Sequence, residues 1–253
     1  MNLEIFSLKG KTAIVTGANT GLGQGMAVAL AEAGANIVGV ARREMSETEE
    51  LVKAAGAEFL PVIADLLTLE PIDRIIEEAT ARFGEIDILV NNAGIIRRED
   101  AIDFSEEDWD DVINTNLKTL YFLSQKAARQ FIKQGHGGKI INIASMLSYQ
   151  GGIRVPAYTA SKHAVMGVTK SMANEWAKYG INVNAIAPGY MVTNNTENLR
   201  KDPVRYNEIL GRIPAGRWGM PADMGGTAVY LASKASDYVH GFTVAVDGGW
   251  LSR

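Results

Sequence analysis

Tyr158 and Lys162 stand four residues apart in the stretch Tyr158-Thr159-Ala160-Ser161-Lys162. On a helix that spacing sets both side chains on one face, a turn from each other. A phenol beside an ammonium forms an acid–base group, because the positive charge favours the phenolate and draws the tyrosine below its ordinary pKa of about 10. The same spacing also suits a packed aromatic and a solvated lysine. Chemistry here therefore needs a scaffold to aim the pair and a second site to hold a reactant.

The scaffold is legible in the hydrophobic pattern. Short β-branched runs at 11–16, 36–41, 59–64, 87–91, 139–144, 181–187 and 242–246 read as strands. Between them, helical spacing covers 21–33, 48–55, 72–83, a long segment opening at Ser105 and running to 131, then 156–178 and 222–231. Ser105 with Asp108 resembles a capping box, and Pro156 suits a first helical position. Strands alternating with helices of this length imply a Rossmann-type α/β fold, a doubly wound parallel sheet of seven strands with helices on both faces. No repeat, linker or low-complexity stretch interrupts the 253 residues, so one domain is expected over 1–253. Within it, 190–218 is polar and broken by Pro203 and Pro214. Its aromatic and aliphatic residues suggest short helices forming a lid, with Gly189 and Pro203 as possible hinges.

The first strand runs into Thr16-Gly17-Ala18-Asn19-Thr20-Gly21-Leu22-Gly23. Gly17 permits a tight turn, Gly21 and Gly23 permit close backbone approach, and the following helix aims free N–H groups at that spot. Such a turn holds a dinucleotide pyrophosphate, although its glycines are one residue out of step with the usual G-x-G-x-x-G.

Taken together, Thr16-Gly-x-x-x-Gly-x-Gly23, Asn91-Asn92-Ala93-Gly94 and Tyr158-x-x-x-Lys162 resemble the short-chain dehydrogenase/reductase family. Further matches are Asn116, Ser145 thirteen residues before Tyr158, Pro188-Gly189 and Asp247-Gly248-Gly249, so the resemblance spans almost the whole chain. It implies a hydride-transferring enzyme in which Tyr158 is the general acid or base and Lys162 tunes it. Ser145 would hydrogen-bond the reacting oxygen, with Ser148 a nearby alternative, and Asn116 would hold a relay water. It implies NAD or NADP bound by Gly17, Asn19, Gly21, Leu22 and Gly23 at the turn and by Asp65 and Leu66 at the adenine. Asn92, Ala93 and Gly94 would line the floor, and Tyr158, Lys162, Pro188, Gly189, Val192 and Thr193 the nicotinamide end. The second strand ends in Ala41-Arg42-Arg43-Glu44, without the Asp that often bonds the ribose 2′-hydroxyl in NAD enzymes. Arg42 or Arg43 would suit a 2′-phosphate, or Arg42 would stack on adenine, and both cofactors stay open.

The segments 96–100, 145–156 and 189–196 resemble members of the family that act on deoxy sugar acids. A sugar acid needs a cation for its carboxylate. Arg154 is the first candidate, followed by Gln150, Arg97 and Arg98, with Ser145, Tyr158 and Tyr190 also meeting substrate and Met191, Asn194 and Asn195 supplied by the lid. Ion pairing or solvation is the competing role for each arginine. Family members acting on gluconate or on carrier-protein 3-oxoacyl groups share the same motifs, and a non-catalytic dinucleotide-binding regulator shares the fold.

Composition narrows the rest. A net charge of −4 without a basic block speaks against nucleic acid, and no apolar run approaches a membrane span. The start Met1-Asn2-Leu3-Glu4-Ile5 lacks a leader pattern, so a cytoplasmic protein is expected. With no cysteine, thiolate chemistry is excluded, and His136, His163 and His240 form no metal-spaced cluster. The family implies a homotetramer.

Overall fold

The computed structural model describes residues 3–253. Met1 and Asn2, part of the stretch read for a leader, lie outside the described residues. Seven strands form one sheet: β1 (Thr12–Thr16), β2 (Asn36–Ala41), β3 (Phe59–Ile63), β4 (Ile88–Asn91), β5 (Gly138–Ile143), β6 (Ile181–Pro188) and β7 (Thr243–Val246). Their order is β3-β2-β1-β4-β5-β6-β7, with every neighbouring pair parallel. The chain winds outward in one direction from β1 and then, from β4, in the other. In such a sheet the crevice at the carboxyl ends of the two reversing strands is the natural ligand site.

Successive residues of each strand point to opposite faces, so each central strand feeds two cores. Ile14, Leu89 and Ile140 join α3 (Ile72–Phe83), α5 (Thr119–Gln134) and α6 (Pro156–Trp176) through Ile75, Phe131 and Val165 on one side. Ala13, Val15, Ile88, Val90 and Ile141 join α1 (Gly21–Glu32), α2 (Ser46–Ala54) and α9 (Gly225–Ala232) through Met26, Val52 and Ala228 on the other. These are the helices expected from the sequence, with the second and last starting at slightly different positions. No helix among the described residues is long and apolar enough to cross a membrane.

Two segments differ from the sequence reading in a way that matters below. The long helix expected from Ser105 is α4 (Glu106–Ile113), a π-helical turn over Asn114–Lys118, and α5. Ser105 caps α4 by accepting the Asp108 N–H at 3.1 Å. Within 190–218 lie α7 (Glu197–Lys201) and α8 (Pro203–Arg212), the latter capped by Asp202. They pack on a third cluster that joins Ile209, Ile213 and Trp218 to Met146 and to Trp250 near the C-terminus.

Candidate active site

The cleft begins where β1 ends. Gly17 turns the chain with φ 67° and Gly21 opens α1 with φ 59°, both in the region that only glycine enters freely. A side chain at Gly23 would collide with the Gly17 carbonyl oxygen, so this glycine closes the turn upon itself rather than making room for a ligand. Thr20, at the N-cap of α1, gives no side-chain capping bond, which leaves the helix's first N–H groups directed at the cleft. That cradle fits a dinucleotide pyrophosphate. Asn92 braces it from β4: its Nδ2 donates to the Thr16 carbonyl at 2.9 Å, while Thr16 Oγ1 accepts the Asn92 and Ala93 N–H groups at 3.0 and 2.9 Å.

From the cradle the cleft runs in two directions. One end is lined by Arg42, Arg43, Asp65 and Leu66, the other by Tyr158, Lys162, Pro188 and Thr193; Gly17, Asn19, Ala93, Gly94, Asn194 and Asn195 border both. Leu22 lines the Tyr158 end. Gly189 lies against Asp247, where a Cβ would come within 2.6 Å of its Cα, and Val192 packs against the cluster of Ile209, Ile213 and Trp218.

Tyr158 and Lys162 occupy the first two turns of α6, which is pinned to the sheet by a buried polar chain. Asn142 Nδ2 donates to Thr169 Oγ1 at 2.9 Å, and Asn91 Nδ2 donates to Asn142 Oδ1 at 2.9 Å. Lys162 is buried and its Nζ donates to the Ile143 carbonyl at 2.6 Å. Burial holds its pKa down to about 8. The ammonium lies 5.6 Å from the Tyr158 ring centroid.

The sequence alone predicts a lowered Tyr158 pKa, with Lys162 the cause. In the structure the net shift is upward, because desolvation of the phenolate outweighs hydrogen bonding from Ser145 and the charge of Arg98, which both pull it down. Lys162 donates to the Ile143 carbonyl, and the influences that lower the phenol come from Ser145 and Arg98 instead. The phenol is thus held protonated, as a proton donor requires.

Asn116 sits in the π turn, 1% exposed. Its Oδ1 accepts the Ile95 N–H at 2.8 Å, and its Nδ2 donates to the Ile95 carbonyl and to Ser161 Oγ at 3.0 and 3.2 Å. Both side-chain N–H groups are committed, so this residue clamps the strand that leaves β4 onto α6 beside Lys162.

The basic residues near the mouth separate clearly. Arg154 is the one non-glycine residue with positive φ among the described residues, at 61°, and pairs with Glu99 at 3.1 Å and Asp100 at 2.9 Å. Arg97 pairs with Asp108 and Asp111 at 3.0 and 2.8 Å. Arg98 has no carboxylate partner among the described residues; it donates to the Asn195 carbonyl at 3.2 Å and its charge acts on Tyr158. Gln150 accepts from Trp250 Nε1 at 3.0 Å, and Tyr190 is wedged edge-on between Trp218 and Trp250 at 5.4 and 4.8 Å. The sequence carried no sign of the Ile143 carbonyl as the Lys162 anchor, because a backbone acceptor leaves no mark in residue type.

Comparison with known proteins agrees with this architecture. The family model for enoyl-(acyl carrier protein) reductase matches residues 17–251. A 2-dehydro-3-deoxy-D-gluconate 5-dehydrogenase from Dickeya dadantii is 67% identical over the full length of both chains. One of the same name from Bacillus subtilis is 61% identical over 99% of this chain and 98% of its own. The crystal structure of a gluconate 5-dehydrogenase from Burkholderia cenocepacia, in complex with NADP and tartrate, superposes with a TM-score of 0.94 at 40% identity, covering 99% of each chain. The chain belongs to the short-chain dehydrogenase/reductase family. It is an oxidoreductase that acts on CH–OH groups.

Proposed function

We propose that the protein interconverts the keto and hydroxy forms of a deoxy sugar acid of the 2-dehydro-3-deoxy-D-gluconate type with a nicotinamide dinucleotide. The observation that carries the substrate class is Arg98. It is a guanidinium without a carboxylate partner among the described residues whose charge acts on Tyr158, suited to an anionic substrate whose reacting carbon lies near the phenol. The curated relatives at 61–67% identity carry the same substrate in their names. Arg154, the first choice from the sequence, already faces Glu99 and Asp100, so the reading moves the carboxylate contact to Arg98.

The dinucleotide would lie along the cleft, its pyrophosphate at the Gly17–Gly23 turn and its adenine between Arg42 and Leu66. Bound there, it would supply or accept the hydride. The chain's own residues handle the proton and the charge. Tyr158 gives a proton to the carbonyl oxygen in reduction and takes one from the hydroxyl in oxidation. Ser145 donates a hydrogen bond to that oxygen as negative charge develops. Lys162, charged below pH about 8, favours the phenolate left after proton transfer. Arg42 and Arg43 have no carboxylate partner among the described residues and suit a 2′-phosphate, while nothing there repels NAD; the reading is use of either cofactor. The lid at 190–218 and Tyr190 complete the substrate side. Apolar side chains left exposed on α4 and α5 (Trp109, Phe122, Ile132) and before β7 (Phe242) offer faces for assembly as a homotetramer. A cytoplasmic location suits a reaction drawing on the free dinucleotide pool.

The test is absorbance at 340 nm with NADH and NADPH against a panel of keto sugar acids, gluconate and a 3-oxoacyl thioester. Turnover with 3-deoxy keto acids at least tenfold above the others is expected. Preference for the thioester would overturn the assignment.

A further inference from the structure

Ser148 is buried, 5% exposed, and both functions of its hydroxyl are in use. The oxygen accepts the Ser145 N–H at 3.2 Å, and the proton is donated to the Lys162 carbonyl at 2.6 Å. A hydroxyl has a single proton, so Ser148 has none to offer a reactant. Nor does it line the cleft that Tyr158 and Lys162 line. It cannot stand in for Ser145 in chemistry.

Its two bonds instead close a circuit between the catalytic elements. Ile143 at the end of β5 accepts from Lys162 Nζ; Lys162's own carbonyl accepts from Ser148; Ser148 accepts from Ser145, two residues beyond Ile143. The backbone and side chain of Lys162 are therefore tied to the same short loop from opposite ends. Ser145 sits there in extended conformation, with φ −163° and ψ 161°, its Oγ accepting the Leu147 N–H at 3.1 Å. That geometry leaves the Ser145 hydroxyl proton free to be directed at Tyr158.

We infer that Ser148 is a positioning residue: it sets the distance between Ser145 and Tyr158, and through it the acidity of the phenol. The inference rests on the reading of Tyr158 as the acid–base group. Two groups lower the phenol's pKa, Arg98 from the loop after β4 and Ser145 from the loop after β5, while Lys162 lies beside its ring on the same helix. Removing the Ser148 hydroxyl releases the Ser145 N–H and takes the Ser148 donor from the Lys162 carbonyl, while Lys162 Nζ keeps its Ile143 partner and Arg98 its Asn195 partner.

The experiment compares Ser148→Ala, Ser148→Cys and Ser148→Thr in the full chain, with 13Cζ-labelled tyrosine and Tyr158→Phe to assign the Tyr158 resonance. Ser148→Ala is expected to move the Tyr158 titration to higher pH and lower kcat roughly tenfold to a hundredfold, the scale of a small misplacement, with cofactor KM held within about twofold. Ser148→Cys, which keeps the volume and weakens both bonds, moves the same way by less. Ser148→Thr, which keeps the hydroxyl, returns both readouts toward wild type. A wild-type titration and kcat in Ser148→Ala would overturn the inference. So would a loss of melting temperature in all three with Tyr158 unmoved, which marks a purely structural serine. Should the wild type turn over no sugar acid while Ser148→Ala still moves Tyr158, the substrate reading fails and this one stands.

Discussion

Lys162 Nζ donates to the Ile143 carbonyl at 2.6 Å, from a position 5.6 Å from the Tyr158 ring centroid. One bond thus ties α6 to the end of β5 and holds a buried cation beside the phenol. Burial lowers the Lys162 pKa from 10.5 to about 8, so the ammonium is charged below that pH and neutral above it. Tyr158, raised by its own burial, keeps its proton to higher pH. Carbonyl reduction is therefore expected to hold steady below pH 8 and to fall as pH rises through about 8, with Lys162 as the titrating group. A pH profile of kcat/KM, which reports the free enzyme, checks this. In Lys162→Arg the falling limb should move beyond pH 10, whatever the remaining rate, because guanidinium does not titrate there (pKa about 12.5 or above).

The same shift has a consequence for stability. The unfolded chain returns Lys162 to 10.5, so between about 8 and 10.5 the unfolded state binds more protons than the folded one. The contribution of this group to stability rises with pH across that window and is unfavourable but constant below it. Denaturant unfolding of wild type and Lys162→Met at pH 7 and pH 9.5 should show the variant's advantage shrinking at the higher pH.

Tyr158→Phe removes the transferable proton and keeps the ring. Turnover should fall by about 10²- to 10⁴-fold, the usual worth of a positioned acid–base group. Dinucleotide affinity, measured by quenching of protein fluorescence, should stay within a fewfold. Retained turnover would refute the assigned role.

Arg98 and Arg154 predict opposite substrate effects. A charged hydrogen bond contributes about 1.5–3 kcal/mol, which corresponds to roughly 10- to 100-fold in affinity. Arg98→Ala should raise the sugar-acid KM by that factor and leave cofactor KM alone. Arg154→Ala breaks exposed pairs with Glu99 and Asp100 and should change KM by less than about fivefold. The reverse ranking would restore Arg154 as the carboxylate contact.

Gly23→Ala places a methyl against the Gly17 carbonyl, a backbone atom that cannot yield. Dinucleotide binding should drop by more than tenfold. Gly21→Ala meets only Thr193, at 3.5 Å, though at a positive φ, and should be milder. Calorimetric titration of both variants with NADPH separates the two effects.

The sequence by itself determined the parts of this protein that depend on neighbours along the chain. Helical spacing places Tyr158 over Lys162, short β-branched apolar runs mark strands buried on both faces, and a glycine-rich turn between strand and helix makes an anion cradle whatever surrounds it. The long helix after Ser105 was legible as helix but not as broken. Its π turn serves Asn116, whose partners Ile95 and Ser161 lie outside that helix, 21 and 45 residues away. The tertiary structure alone decided which polar groups remain available. Arg154 is matched by Glu99 across 55 residues and Gln150 by Trp250 across 100, pairings that no local pattern records. It also reversed the expected direction for Tyr158. The charge of a nearby lysine can be inferred from spacing, whereas the desolvation that raises the phenol, against Ser145 and Arg98, arises only from tertiary packing.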